Sequence, residues 1–179
     1  MIMKMEAQKN TDDRGYTLVE LVAVIAIMVV MVGVLTLSMN IVFNEDSQRA
    51  ANLVEDELKE ARMLAMSKSG DIVMKIHTED SNPKGYKIEI TKGGTVYRSV
   101  SVDVSVLISL TSNGTPVSGA GEDISVEFNK SNGSIKKING SAPVTDKTYE
   151  IVAVAQRGSG NTAKVIIAPN TGRHYVEKN

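Results

Sequence analysis

Hydrophobic and polar positions follow three regimes along this chain. From Leu21 to Phe43 they do not alternate: the run holds no charged residue and no proline. Its 23 residues extend roughly 34 Å as a helix at ~1.5 Å per residue, enough to cross a hydrocarbon core of ~30 Å. Beyond Asn44 the pattern turns helical and amphipathic. Ala50, Leu53, Val54, Leu58, Ala61, Leu64 and Ala65 recur at i, i+3 and i+4, opposite Glu55, Asp56, Lys59, Glu60 and Arg62. Glu55 and Lys59 form an i,i+4 pair, and Gly70 stands where a helix C′ residue belongs. The stripe is short and alanine-rich, which favours packing under a small sheet over a coiled coil.

From Asp71 onward the period drops to two. The predicted strands are 72–78, 84–91, 95–102, 103–110, 123–129, 133–138, 148–155, 163–169 and 172–177, rich in Val, Ile and Tyr. A Gly/Ser/Pro-rich insert follows the fourth. Asn82-Pro83, Gly93-Gly94, Asn132-Gly133, Asn139-Gly140 and the Gly158–Asn161 segment supply turns. Short strands joined by tight turns pair antiparallel, because parallel pairs need long crossovers. The fold class is therefore α+β: a long N-terminal helix packed on a C-terminal antiparallel β-sheet head. It divides into a membrane helix at 16–43, an amphipathic continuation at 44–70 and a β-rich head at 71–179.

Ahead of the apolar run lies a polar leader carrying Lys4, Lys9 and Arg14, while Glu45 and Asp46 follow the run. That asymmetry orients the N-terminus toward the cytoplasm and the head outside. A secretory signal peptide would have a shorter apolar core and a small-residue cleavage site after it; here the small residue, Gly15, comes first. Glu20 sits just inside the apolar block. An acidic residue at the centre of a membrane helix costs about 2.5–3.5 kcal/mol, so Glu20 is a functional candidate, with snorkelling at the interface as the plainer alternative.

The order Gly15-Tyr16-Thr17-Leu18-Val19-Glu20 followed by LVAVIAIMVV resembles the N-terminal signal of type IV prepilins and type II secretion pseudopilins. The resemblance implies that a prepilin peptidase removes the leader, residues 1–15, by cutting between Gly15 and Tyr16, and methylates the new terminus at Tyr16. Most relatives have phenylalanine where this chain has Tyr16, and many have a helix proline that this chain lacks. In the family the new α-amine pairs with the glutamate, here Glu20, of a neighbouring subunit and sets the register of assembly. An α-amine of pKa ~7.7–8 is largely protonated at neutral pH, so the pairing is electrostatically sound; pairing within one helix competes with it. Lipid-facing Leu21, Val24, Ile27 and Val30 then become the packing surface. The implied partners are prepilin peptidase, other pilin or pseudopilin subunits and an inner-membrane assembly platform. The segment 47–70, ISVEFNKSNGSI and the terminal PNTGRHYVE look like H-type pseudopilins and FimT-type minor pilins (GspH/FimT-like), which implies a pilin-like fold.

Composition removes other classes. Without cysteine there is no disulfide and no thiolate chemistry. His77 and His174 are isolated, no nucleophile elbow or phosphate loop is present, and neither a metal nor a cofactor is expected. The chain does not read as an enzyme. The Asn-Gly-Ser/Thr steps at 113, 132 and 139 read as turns rather than glycosylation sites. Charge is uneven: residues 45–80 carry nine acids and five bases, 129–179 eight bases and three acids. The ordinary reading is a strand surface balanced against an acidic helix. The alternative is a membrane-anchored binding module touching DNA phosphates through Lys136, Lys137, Arg173 and Lys178 in a competence apparatus.

Overall fold

The computed structural model describes residues 17–67, 70–79, 85–102, 105–119, 121–156 and 161–177, with the side chains of 35–44 left aside. Among these residues one helix, α1 (Leu18–Ser67), precedes ten strands: β1 (Ile72–Thr78), β2 (Tyr86–Lys92), β3 (Thr95–Val102), β4 (Val106–Ser112), β5 (Thr115–Ser118), β6 (Ile124–Phe128), β7 (Ile135–Ile138), β8 (Tyr149–Ala155), β9 (Thr162–Ala168) and β10 (Arg173–Glu177). The chain divides into two compact units, Met1–Ser38 and Met39–Asn179.

Within the second unit the strands form two sheets, not the single sheet expected. Their orders are β3-β2-β1-β6-β7 and β10-β9-β8-β4-β5, five strands each, and every pairing is antiparallel. The α+β class and the antiparallel pairing are as expected. The split arises from two pairings that skip strands: β1 with β6 and β4 with β8. Local patterning carries no information about such partners.

Turn chemistry acts where the sequence placed it at the described Gly-Gly and Asn-Gly steps, while Asn82-Pro83 and residues 158–160 lie outside the described residues. Gly93-Gly94, Asn113-Gly114 and Asn139-Gly140 all have positive φ at both positions, as a two-residue hairpin loop of the mirror-image type requires. The Asn113-Gly114 loop joins β4 to β5, pairing Ser112 with Thr115. The Gly/Ser/Pro-rich insert therefore begins with a strand that its composition concealed. β4 correspondingly runs to Ser112 and β2 to Lys92, each beyond its expected end.

The helical stripe behaves as its period dictates. Ala50, Ala51, Val54, Leu58, Ala61, Leu64 and Ala65 are all buried, with Leu53 half-buried at the margin. They join one core with alternate residues of both sheets, including Ile72, Met74, Ile76, Ile88 and Ile90 from the first and Val106, Ile108, Leu110, Ile151, Val165 and Ile167 from the second. Tyr86 on β2 donates its hydroxyl to the Ile108 carbonyl on β4 (3.4 Å), a polar tie between the sheets inside the core.

Candidate functional site

In the first unit, α1 opens on a threonine cap. Thr17 Oγ1 accepts the Glu20 backbone N–H (3.3 Å), and the Thr17 carbonyl accepts the Leu21 N–H (3.1 Å). Thr17-Leu-Val-Glu20 thus has the T-x-x-E spacing of a capping box, and Glu20 lies in the first turn, where the helix dipole favours a negative charge. The cap engages the backbone of Glu20, not its carboxylate. Glu20 borders a shallow groove with Leu21, Val24, Ile25 and Met28.

Leu21, Val24, Ile27 and Val30 are exposed, but so are Val22, Ile25, Met28 and Val29 between them. The helix is apolar on all sides here, the mark of a segment that buries its whole circumference in something other than water. No one face separates the four residues from their neighbours. Among the described residues no helix is long and apolar enough to cross a membrane; side chains are described from Thr17 to Val34 and resume at Glu45. Gly15 and Tyr16, the expected processing site, lie outside the described residues.

In the second unit the most constrained polar site centres on Arg62, which the sequence pattern had placed on the solvent face of the helix. Its Nε donates to the Gly133 carbonyl (3.0 Å) and a terminal guanidinium nitrogen to the Thr171 carbonyl (2.9 Å). Gly133 lies in the β6–β7 turn and Thr171 in the β9–β10 turn, so one side chain grips a turn from each sheet. These turns touch. A Cβ on Gly172 would fall 1.8 Å from the Gly133 carbonyl oxygen, and one on Gly133 would fall 2.7 Å from Met66 Sδ. Both glycines also have positive φ. Ile135 N–H donates to the Pro169 carbonyl (2.9 Å), completing the seam.

His174 follows on β10. Its Nδ1 is 3.0 Å from the Gly172 carbonyl, so the neutral ring carries its proton on Nδ1 and leaves Nε2 as an acceptor. That Nε2 is buried without a hydrogen-bond partner among the described residues. The ring tilts against Phe128, with centroids 6.5 Å apart. Burial lowers the His174 pKa below the usual histidine value; the Gly172 carbonyl and Glu55 oppose that shift, while Arg62 and Lys59 add to it.

A second missed feature is Glu57 on α1, buried among the apolar stripe. Arg98 Nε on β3 donates to both its carboxylate oxygens (2.9 and 3.0 Å). A glutamate between Asp56 and Leu58 carries no local sign that it will face inward.

The basic residues proposed for DNA contact are divided between the sheets. Lys136 and Lys137 lie on β7 and Arg173 on β10; Lys178 is outside the described residues. Lys136 donates to Glu127, a contact that raises its pKa above the usual lysine value. Lys137 stands 3.8 Å from the same carboxylate, and Lys130 3.6 Å from Asp71. Much of the positive charge on this flank is matched within the head. Among the described residues no group of three or more His, Cys, Asp or Glu is placed to hold a metal.

Comparison with known families bears on the N-terminal end. Residues 10–36 match the prokaryotic N-terminal methylation motif. The methylation motif contains Gly15, Tyr16, Glu20 and all four apolar packing candidates. It supports the type IV pilin and pseudopilin family, and it implies a membrane-anchored subunit processed by prepilin peptidase and assembled with other pilin subunits. It stops short of the head, so it does not reach the H-type or FimT-type subclass. No curated protein and no solved structure matches the chain.

Proposed function

We propose that this chain is a minor pilin or pseudopilin, a non-enzymatic structural subunit of a type IV pilus-like or type II secretion-like filament. It is made as a prepilin with its N-terminus in the cytoplasm and its head outside, cut after Gly15 and N-methylated at Tyr16. It then joins other subunits at an inner-membrane assembly platform. The observation that carries this reading is the methylation motif over residues 10–36, with Glu20 at the start of a helix whose segment from Leu21 to Val34 is exposed and apolar all round.

Glu20 supplies the register. A carboxylate among apolar side chains is costly unless an opposite charge meets it. Cleavage creates one, the α-amine at Tyr16, on every subunit. Pairing Glu20 with the amine of a neighbour sets one axial stagger, while Leu21, Val24, Ile27 and Val30 pack without directional preference. The helix-plus-sheets head supports a pilin-like fold of the H or FimT type. A DNA-binding role has less support, because Lys136 and Lys137 are engaged by Glu127.

The test is the mature N-terminus after co-expression with a prepilin peptidase. Mass spectrometry should find a chain beginning at methylated Tyr16, and Gly15→Ala should leave the leader attached. Glu20→Ala should be processed and membrane-bound but absent from sheared filaments. A wild-type chain that retains Met1 beside an active peptidase overturns the reading.

A further inference from the structure

Each sheet of the head ends in two edge strands, and an edge left open is a template for another strand. Three of the four edges carry features that discourage pairing. β5 has four residues and contains Pro116; β7 has four residues and contains Lys136 and Lys137. β10 brings Arg173, His174 and Glu177. β3 is different. It is eight residues long, TVYRSVSV, with no proline and one charge. That charge, Arg98, is directed to Glu57. Residues 95–99 are all exposed, Val96 and Tyr97 each at 50%, and among the described residues β3 has β2 on one side and no strand on the other.

The sequence of this edge also identifies its occupant. β3 is regular over Arg98–Val102, where it pairs residue by residue with Ile90–Tyr86, and its bulge lies outside that stretch, between the Arg98 and Val96 pairings. Arg98, Val100 and Val102 stand on the side of Ile90, Ile88 and Tyr86, which are core residues. Ser99 and Ser101 point the other way, beside Glu89 and Lys87. An antiparallel copy of the same stretch, with its two-fold axis at Val100, sets Val100 against Val100, Arg98 against Val102 and Ser99 against Ser101. On the inner face Val100 meets its own copy and Val102 meets the aliphatic stem of Arg98, hydroxyls meet on the outer face, and the two arginines are kept apart. These are favourable cross-strand pairs, and no like charges face one another.

We propose that two copies of this protein pair through β3, antiparallel about Val100, joining their first sheets into one continuous sheet. The pairing is independent of the pilin reading and needs only the head as it folds here.

A chain without cysteine makes the test clean. In the full-length protein in detergent, the double variant Ser99→Cys/Ser101→Cys places a cysteine opposite a cysteine across the proposed axis. Mild oxidation should give a covalent dimer on denaturing gels. The control is Thr115→Cys/Val117→Cys on the exposed β5 edge, which reports encounters driven by the apolar helix and should give little. Equal yields from both variants overturn the proposal, as does no dimer from the first. Wild-type protein provides a second measurement, free of any folding defect. Amide exchange within 98–102 should slow with protein concentration, roughly fivefold once the total concentration is about ten times the dimer Kd. Concentration-independent exchange at β3 overturns the proposal, including the case in which a strand of another protein is the true occupant.

Discussion

Replacing Gly172 by alanine tests the seam between the two sheets. Two costs apply. Its φ of +62° puts a side-chain-bearing residue in the left-handed region, at about 1–2 kcal/mol. The new Cβ would also fall 1.8 Å from the Gly133 carbonyl oxygen. That atom is backbone, held by Arg62, so the turns must separate; forcing extra atoms into a packed site costs about 1–3 kcal/mol. The total is about 2–5 kcal/mol, a large share of a domain stability of ~5–15 kcal/mol. Gly140 is the internal standard, since its φ is +76° but nothing lies within 4 Å of its Cβ position. Gly140→Ala therefore bears the first cost alone. At roughly 3 °C per kcal/mol for a domain of this size, Gly172→Ala should lower the melting temperature by ~6–15 °C and Gly140→Ala by ~3–6 °C. With no tryptophan in the chain, circular dichroism is the suitable signal. Equal shifts for the two variants would refute the close approach of the turns.

Arg62→Met keeps the aliphatic stem but removes both carbonyl contacts, and should cost about 2–4 kcal/mol in urea titration, from hydrogen bonds to a charged group at ~1.5–3 kcal/mol each with some replacement by water; Arg62→Lys should recover less than half, since one ammonium cannot reproduce the fork. His174 makes stability depend on pH. Its folded pKa is lowered, so the unfolded chain binds the proton more readily; the His174 contribution is complete above about pH 6.5 and declines as pH falls through the lowered folded value. His174→Phe should remove that part of the slope in melting temperature between about pH 7.5 and 5, and an unchanged slope would assign it elsewhere. Arg98→Ala leaves the buried Glu57 without this partner and should cost about 1–3 kcal/mol, whereas Arg98→Ala combined with Glu57→Leu should regain most of the loss, as a double-mutant cycle by chemical denaturation will report.

What could be read in the sequence follows the range of the interactions concerned. The buried stripe from Ala50 to Ala65 was legible because a helix sets its periodicity within one turn. The Asn113-Gly114 and Asn139-Gly140 turns were legible because the residue pair itself encodes the positive φ values. The motif from Gly15 to Glu20 was legible as a contiguous string. Arg62, Gly133 and Gly172 were not, because they matter only once two turns about forty residues apart are brought together under the same helix. Arg62 sits among Glu60 and Lys59 and looks like any solvated cation. Glu57 was hidden in the same way, its inward direction depending on an arginine from β3. The division into two sheets was hidden by the β1–β6 and β4–β8 pairings, whose partners are chosen by the whole core.

The Arg62 grip has a kinetic consequence for the folded state. Strands at sheet edges normally fray one by one, at opening free energies far below that of global unfolding. Here the turn before β7 and the turn before β10 share one donor and one glycine contact, so releasing either exposes the partner of the other. The two edges should open as one cooperative event rather than two. Amides of Ile135 and of Arg173–Val176 would then exchange with a common free energy and lose protection together, although they belong to different sheets.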